Sequence, residues 1–230
     1  MALIKCLKCG EEISNKAKAC PYCKTKIKNI GNIIIIALSV CLVVLLIVAG
    51  SMIKYQNDKK KEKEAREQYV NEYNLCIDNL NTIWRTAENT LYVSDELVAL
   101  TQDVWSGAIF KEATVTNVNY IFKDGKFQSM EQALDNLYGD SNVKSKIQTI
   151  NDRKTMIEEL YKKTENAPEE FNDVRKAGLE FINAFNNRMN FSKKASGALI
   201  SYSKTFSELK TTYDTKLTTF RSLIPEKLEE

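Results

Sequence analysis

The residues with the clearest capacity for chemistry are four cysteines near the start of the chain. They form two pairs, Cys6 with Cys9 and Cys20 with Cys23, and ten residues separate the pairs. Two residues between paired cysteines let a tight turn direct both sulfurs at one ion, and four thiolates complete the tetrahedron that a structural zinc ion takes at about 2.3 Å. Gly10 directly follows the first pair and suits the left-handed backbone of such a turn. The spacing therefore predicts a zinc site.

Other uses of the four cysteines fit the chain less well. Two disulfides could staple a peptide of this size, but the rest of the chain does not resemble a small secreted scaffold. A redox Cys-x-x-Cys motif usually occurs once, near a βαβ pattern, and no such pattern is present. Four thiolates leave no coordination position for water, so the zinc is expected to be structural. A ribbon this small is expected to fold only when metal binds.

The first residues of the chain resemble a known domain. Residues 4–27 are similar to the short four-cysteine zinc ribbon at the N-terminus of many bacterial and archaeal membrane proteins, whose pattern is C-x-x-C-G, about ten residues, then C-P-x-C-G. Lys24 stands where that pattern has its second glycine, so we expect a local backbone difference there. The resemblance implies a zinc ribbon, often with a membrane span after it. It covers about a tenth of the chain and implies no activity.

A long apolar run follows the ribbon. Residues 33–49 contain Ser39 as their one polar residue, and the uncharged stretch extends over residues 30–53. At 1.5 Å per residue, that helix exceeds the roughly 30 Å of a bilayer core. A signal peptide would have a shorter apolar region and a cleavage site, and a core helix would have a polar face. The run predicts one uncleaved transmembrane helix, in which Cys41 acts as a small apolar residue.

The orientation of this span is not decided by its flanking charges. Residues 16–28 carry five lysines, and residues 54–66 carry five lysines and Arg66. Thiolates are safer from oxidation in the cytosol than outside the cell. We therefore expect a single-pass protein of the cell membrane, with the ribbon (1–28) in the cytoplasm and the region after the span outside it.

The remainder of the chain predicts long helices. A charged stalk (54–68) precedes a helical bundle (69–225) and a short tail (226–230). A seam of alternating three- and four-residue spacing predicts a first helix that buries one stripe, formed by Tyr73, Ile77, Leu80, Trp84, Ala87, Leu91, Ser94, Val98, Thr101, Trp105 and Ala108. A turn at residues 123–126 and a shorter helical pattern follow, which Pro168 breaks. A second such seam predicts one last helix from Phe171 to Leu223, ended by Pro225.

Together these segments predict a mainly α protein with a small zinc ribbon, one transmembrane helix and an elongated antiparallel bundle or coiled coil. Within the bundle, Trp84 and Trp105 are expected in the core, without polar neighbours that would define a ligand site. Arg188 interrupts the second seam, either as a buried pair that fixes register or at a local bulge. Cys76 is expected at the surface or flank, and in an oxidising exterior it could form an intermolecular disulfide.

Composition narrows the function. The chain has no histidine, which excludes Ser-His-Asp and Cys-His catalysis and any histidine metal ligand. It also has no phosphate-binding glycine loop or paired-carboxylate motif, so we expect no catalytic residue, no cofactor other than zinc and no enzyme. The main hypothesis is an interaction or sensor protein with an envelope or prophage-exclusion role, whose partners are the lipid bilayer and another protein. A second copy of the chain, in a homo-oligomer, is a further possible partner.

The charge of the ribbon supports a second hypothesis. Residues 1–30 hold seven of the 33 basic residues and two of the 30 acidic residues, whereas the rest of the chain is nearly neutral. A basic ribbon could touch nucleic acid at the membrane. However, Tyr22 is its one aromatic residue, which is little for base stacking, and anionic lipid headgroups explain basic residues beside a span more simply. Nucleic acid is therefore not the expected partner.

Overall fold

The computed structural model describes residues 3–27 and 30–229, although the side chains of residues 30–34 and 37 are outside that description. The predictions for the outermost residues of the ribbon and tail, and for the first side chains of the span, therefore lie outside the described residues. The chain is mainly α, as predicted. It divides into two compact units, residues 1–65 and 66–230, and each is described by itself.

The first unit contains the ribbon and the start of a long helix. Strands β1 (Leu3–Lys5) and β2 (Glu12–Ser14) pair antiparallel, with Ile4 opposite Ile13. Helix α1 (Ile30–Phe110) begins in this unit and ends in the second. No proline occurs between Pro21 and Pro168, so nothing in the sequence interrupts its hydrogen bonds. The predicted stalk is helical and solvent-exposed throughout.

The second unit contains the end of α1 and the elements after it. These are α2 (Val118–Ile121), β3 (Phe122–Lys123), β4 (Lys126–Phe127), α3 (Met130–Gly139), α4 (Ser141–Lys162), a 3₁₀ turn (Glu169–Phe171), α5 (Asn172–Ser192) and α6 (Leu199–Ser222). The predicted turn at residues 123–126 is a β-hairpin, in which Asp124 and Gly125 both have positive φ, at 50° and 74°. Pro168 lies between α4 and the 3₁₀ turn, as predicted.

Long-range contacts define the directions of the four main helices. α5 runs parallel to α1, because contacting residues advance in the same direction along both, from Tyr73 with Phe171 to Asp95 with Arg188. α6 runs antiparallel to α1, as the pairs Glu88 with Arg221 and Gln102 with Ser203 show. α4 runs antiparallel to α5, as the pairs Lys154 with Asn190 and Asn151 with Lys193 show. The second unit is therefore a four-helix bundle in which α1 and α5 run in one direction and α4 and α6 in the other.

The predicted seam of α1 faces the core of this bundle. All eleven of its positions are buried or half-buried, and Leu80, Ala87, Ser94 and Thr101 have no exposed surface. The seam packs against Phe181, Phe185, Tyr213 and Phe220 of α5 and α6, among others. The 3.5-residue spacing thus gave the buried stripe of α1 correctly.

The predicted single last helix is wrong, because the chain divides it into α5 and α6. The six-residue connection spans residues 193–198 and contains Gly197 at φ +81°. The two helices then pack against each other antiparallel, with Phe191 stacked on Tyr202 at 4.5 Å between ring centroids. Apolar spacing continued across the connection because Ala195, within it, is itself half-buried against the core. Periodicity alone does not distinguish a continuous helix from two that meet at a turn.

The end of α1 depends on a close approach of the following loop. Lys111 has φ 61°, and the backbone N–H of Glu112 donates to the carbonyl of Gly107 at 3.1 Å. A Cβ at Gly107 would lie 2.7 Å from the Glu112 carbonyl oxygen and closer still to the Asn117 amide. Only glycine fits there, and the loop returns the chain to the bundle at α2.

Candidate metal centre

The first cysteine pair lies in a tight turn directly after β1. The N–H of Gly10 donates to the Cys6 carbonyl at 2.8 Å, and the N–H of Cys6 donates to the Glu11 carbonyl at 2.9 Å. Gly10 has φ +77°, the left-handed conformation that its sequence position predicted. These bonds place Cys6 and Cys9 on one side of the turn.

The second pair lies in a turn with the same hydrogen bonds. The N–H of Lys24 donates to the Cys20 carbonyl at 2.9 Å, and the N–H of Cys20 donates to the Thr25 carbonyl at 2.9 Å. Lys24 has φ 54°, so it adopts the left-handed conformation of the glycine that it replaces. The backbone difference expected at Lys24 is therefore wrong: the turn keeps its shape, and the lysine carries the strain.

The four sulfurs form one cluster. All four Sγ atoms lie within 4.8 Å of one another, and the Cys6–Cys23 and Cys9–Cys20 sulfur distances are both 3.6 Å. Four sulfurs placed tetrahedrally around an ion at 2.3 Å would be about 3.8 Å apart. A disulfide would need about 2.05 Å, and all four cysteines are free. The cluster therefore has the dimensions of a four-coordinate metal site.

Hydrogen bonds favour the thiolate form of two of the ligands. The Thr25 Oγ1 atom lies 3.2 Å from Cys23 Sγ, and this contact and the Thr25 backbone lower the pKa of Cys23 to about 6. Backbone hydrogen bonds from Cys9 and Lys8 lower the pKa of Cys6. Thiolates this close repel one another, and a cation between them removes that repulsion. The chemistry of the four donors is that of a site which could hold a metal ion.

The ribbon contains little else that could hold it together. Cys6, Cys20 and Ile13 are its buried apolar residues among those described, with Cys23 and Ile27 partly buried against them. Because three of these five residues are the thiols themselves, most of the core of the ribbon is the metal site. Four sulfur donors would fill the coordination sphere of a tetrahedral ion, an arrangement typical of structural metal sites.

The beginning of α1 is apolar and exposed. It is long and apolar enough to cross a bilayer, with a mean hydropathy of 2.2 over its best 18-residue window, none of which is buried in the protein. The hydroxyls of Ser39 and Ser51 donate to the carbonyls of Ile36 and Val48, both at 2.8 Å. These polar groups are thus satisfied within the helix, as an apolar surrounding requires. Cys41 lies exposed on the same segment.

Arg188 lies in the bundle core as a buried pair, which is one of the two alternatives that the sequence left open. Its side chain is 2% exposed, and Nη2 donates to Asp95 Oδ1 at 2.6 Å. Lys210 lies 3.9 Å from the other oxygen of Asp95, and the guanidinium lies over the rings of Phe206 and Tyr213. Asp95 and Lys210 were not predicted, because neither position differs in the sequence from an ordinary solvent-exposed helix residue.

The two tryptophans occupy separate structural positions. Trp105 is buried against Tyr202, and its Nε1 donates to Met130 Sδ at 2.7 Å. Trp84 is half-buried, donates to Asn81 and lies beneath the Arg221 guanidinium at 4.2 Å. Twenty-one positions of one helix separate them by about 30 Å. They do not form a shared ligand pocket.

Cys76 lies in the bundle core at the flank of the seam, so of the two expected positions, surface or flank, the surface position is wrong. Its side chain is 4% exposed, and burial raises the pKa of its thiol to about 11. The seam of α1 explains this position, since Cys76 directly precedes Ile77 and widens the buried stripe by one residue. A disulfide to a second chain through Cys76 would require this part of the core to open.

Comparison of the chain with protein-family models, with curated proteins and with solved structures gives no match. Its function is therefore argued from its own residues.

Proposed function

We propose that the chain is a membrane-anchored, non-enzymatic interaction or sensor protein. In this proposal the ribbon lies in the cytoplasm and a structural zinc ion stabilises its fold. The apolar start of α1 spans the membrane, and the helical bundle recognises an envelope component or another protein outside the cell membrane. The observation that carries the proposal is the succession, in one chain, of a closed four-sulfur cluster and an exposed apolar helix segment ahead of a packed bundle.

Zinc is the metal that the donor set favours. Four cysteine sulfurs at tetrahedral spacing bind Zn²⁺ as a structural ion, and no oxygen ligand that magnesium or calcium would prefer belongs to the cluster. Elemental analysis of the full-length protein in detergent is expected to give one zinc per chain. Cys20→Ser should lose the metal, whereas Cys41→Ser, in the span, should retain it. Retention of zinc by the Cys20→Ser variant would contradict the assigned site.

The orientation can be tested with cysteines placed at exposed positions. Cys76 cannot report it because its thiol is buried. In a chain with Cys41→Ser and Cys76→Ser, a Tyr92→Cys substitution on the exposed face of α1 should react with a membrane-impermeant maleimide on intact cells. An Asn15→Cys substitution in the ribbon should react only after permeabilisation. The opposite pattern would reverse the topology, and equal labelling without permeabilisation would contradict the membrane span.

A second candidate is a membrane-tethered protein that binds nucleic acid through its ribbon. The observation in its favour is that Tyr22 is 68% exposed two residues before the exposed Lys24, while Lys8 is exposed in the other turn. An exposed aromatic ring that can stack on a base, together with cations that form no ion pair, suits the binding of single-stranded nucleic acid. Salt-sensitive binding of the full-length protein to an oligonucleotide, weakened by Tyr22→Ala, would support this candidate. Binding that Tyr22→Ala leaves unchanged would remove it.

A further inference from the structure

The ribbon has an exposed surface that its metal site does not use. Leu7 follows Cys6 in the first turn and is 96% exposed, and Tyr22 precedes Cys23 in the second turn and is 68% exposed. Because the Cys6 and Cys23 sulfurs are 3.6 Å apart, the two turns that hold Leu7 and Tyr22 meet at the cluster. We call the exposed surface of these two turns the edge of the cluster. In so small a domain, these two exposed side chains are the part of the turns that an amphipathic partner could contact.

The charges of the ribbon are mostly positive. Residues 3–27 contain six lysines and two glutamates, and all eight are solvent-exposed. None of these lysines forms an ion pair with a carboxylate within the described part of the chain. Lys8 adjoins Leu7, and Lys24 lies two residues from Tyr22. The edge of the cluster therefore combines apolar side chains with cations that have no partner in the ribbon.

We propose that this edge of the zinc ribbon docks onto the anionic lipid surface of the membrane that the chain crosses, with Leu7 and Tyr22 at the headgroup boundary and the lysines on the phosphates. Tyrosine and leucine enter that boundary while lysines remain at its anionic face. The inference rests on the proposed function, because the ribbon is joined to the span by a few residues. This short connection keeps its local concentration at the membrane high.

The metal determines whether this surface exists. Among the described residues, the two turns meet through the four sulfurs and share little other core, namely Ile13 and Ile27. Without the ion the ribbon has no fold in which the turns holding Leu7 and Tyr22 meet. Docking and metal binding are therefore linked, and each strengthens the other.

The docking can be measured in the full-length, zinc-loaded protein placed in nanodiscs whose acyl chains are brominated. A Leu7→Trp substitution should give tryptophan emission that is quenched in discs containing phosphatidylglycerol and much less quenched in discs of phosphatidylcholine alone. The unsubstituted protein supplies the background from Trp84 and Trp105. An Asn15→Trp substitution, in the exposed turn after β2, is the matched control and should show little dependence on the lipid.

Charge reversal then tests the lysines. Lys8→Glu and Lys24→Glu, added to Leu7→Trp, should each reduce the docked fraction about fivefold or more, because each removes one attractive contact and adds a repulsive one. Lys60→Glu in the stalk is the control and should leave the quenching unchanged. Equal quenching in both lipids, or its loss on Lys60→Glu but not on Lys8→Glu, would overturn the proposal.

Failure of docking is distinguishable from failure of the proposed function. Zinc content and incorporation into the discs are measured on the same samples, and they report the metal site and the span. If both are normal and Leu7→Trp is unquenched in anionic discs, the docking surface is wrong while the anchor remains. An oligonucleotide that binds the protein under those conditions would assign the same edge to nucleic acid instead.

Discussion

Replacement of Lys24 by glycine should relieve backbone strain that opposes metal binding. Lys24 has φ 54° in a turn whose counterpart in the first knuckle is Gly10 at φ +77°. The left-handed conformation costs an L-residue about 1–2 kcal/mol, and glycine avoids this cost but loses about 0.5–1 kcal/mol more conformational entropy on folding. The net gain is therefore about 0.5–1 kcal/mol. If the ribbon folds as it binds zinc, as we propose, this gain should appear as roughly two- to fivefold tighter zinc binding than in a variant that lacks the same charge but keeps the strain.

The assay is competition for zinc between the full-length protein in detergent and a chromogenic chelator. Lys24→Gly also removes a positive charge beside the thiolates, which weakens binding independently of the backbone. Lys24→Ala removes the same charge and keeps the strain, so the backbone effect is the difference between these two variants. Lys24→Gly should bind zinc about two- to fivefold more tightly than Lys24→Ala.

The first knuckle provides the reverse experiment. A Cβ at Gly10 would meet no atom within 4 Å, so Gly10→Ala introduces backbone strain without a steric clash. It should weaken zinc binding by a similar factor, roughly two- to fivefold. If Lys24→Gly binds no more tightly than Lys24→Ala, or if Gly10→Ala leaves the affinity unchanged, the strain assigned to these turns is wrong.

Three further predictions concern the bundle. Asp95→Asn should lower the free energy of unfolding in urea by about 2 kcal/mol. This is less than the roughly 3–5 kcal/mol lost when a fully buried pair is broken, because Asp95 is 40% exposed. Arg188→Met should cost less than Asp95→Asn, because it leaves no buried charge. Gly107→Ala should cost more than about 2 kcal/mol in the same assay, since its Cβ would meet the Glu112 carbonyl at 2.7 Å, whereas Gly139→Ala, which meets nothing within 4 Å, should not. Burial raises the pKa of Cys76 to about 11, so on raising the pH the unfolded thiol loses its proton before the folded one. The contribution of this thiol to the free energy of unfolding should be complete below about pH 8.5 and decline as the pH rises towards 11. Cys76→Ala should remove this part of the pH dependence of stability.

The features that the sequence predicted correctly depend on residues that are near one another in the chain. Two Cys-x-x-Cys pairs ten residues apart contain all four sulfur ligands, so the cluster could be predicted without knowledge of any distant residue. The apolar run needs only its own length to define a helix that can cross a bilayer. The seam of α1 was predictable because residues spaced alternately three and four apart lie on one face of a helix, whichever element covers it.

The features that the sequence did not predict depend on contacts between distant segments. Arg188 is neutralised by Asp95, a residue 93 positions away, and no local pattern marks that aspartate. The division between α5 and α6 was missed because the same apolar spacing serves one helix or two helices packed against each other. Cys76 was placed at the surface because only the packed helices show how wide the buried stripe of α1 is.

The ribbon shows the same division within a few residues. Its sequence determined which atoms can bind metal, because ligand identity and spacing are local properties. Only the folded turns decided that Lys24 takes a left-handed conformation and that the turns holding Leu7 and Tyr22 meet at the cluster. The physical reason is that four sulfurs from two turns must converge on one point. That convergence, which no single turn specifies, sets the backbone strain and the exposed surface of both.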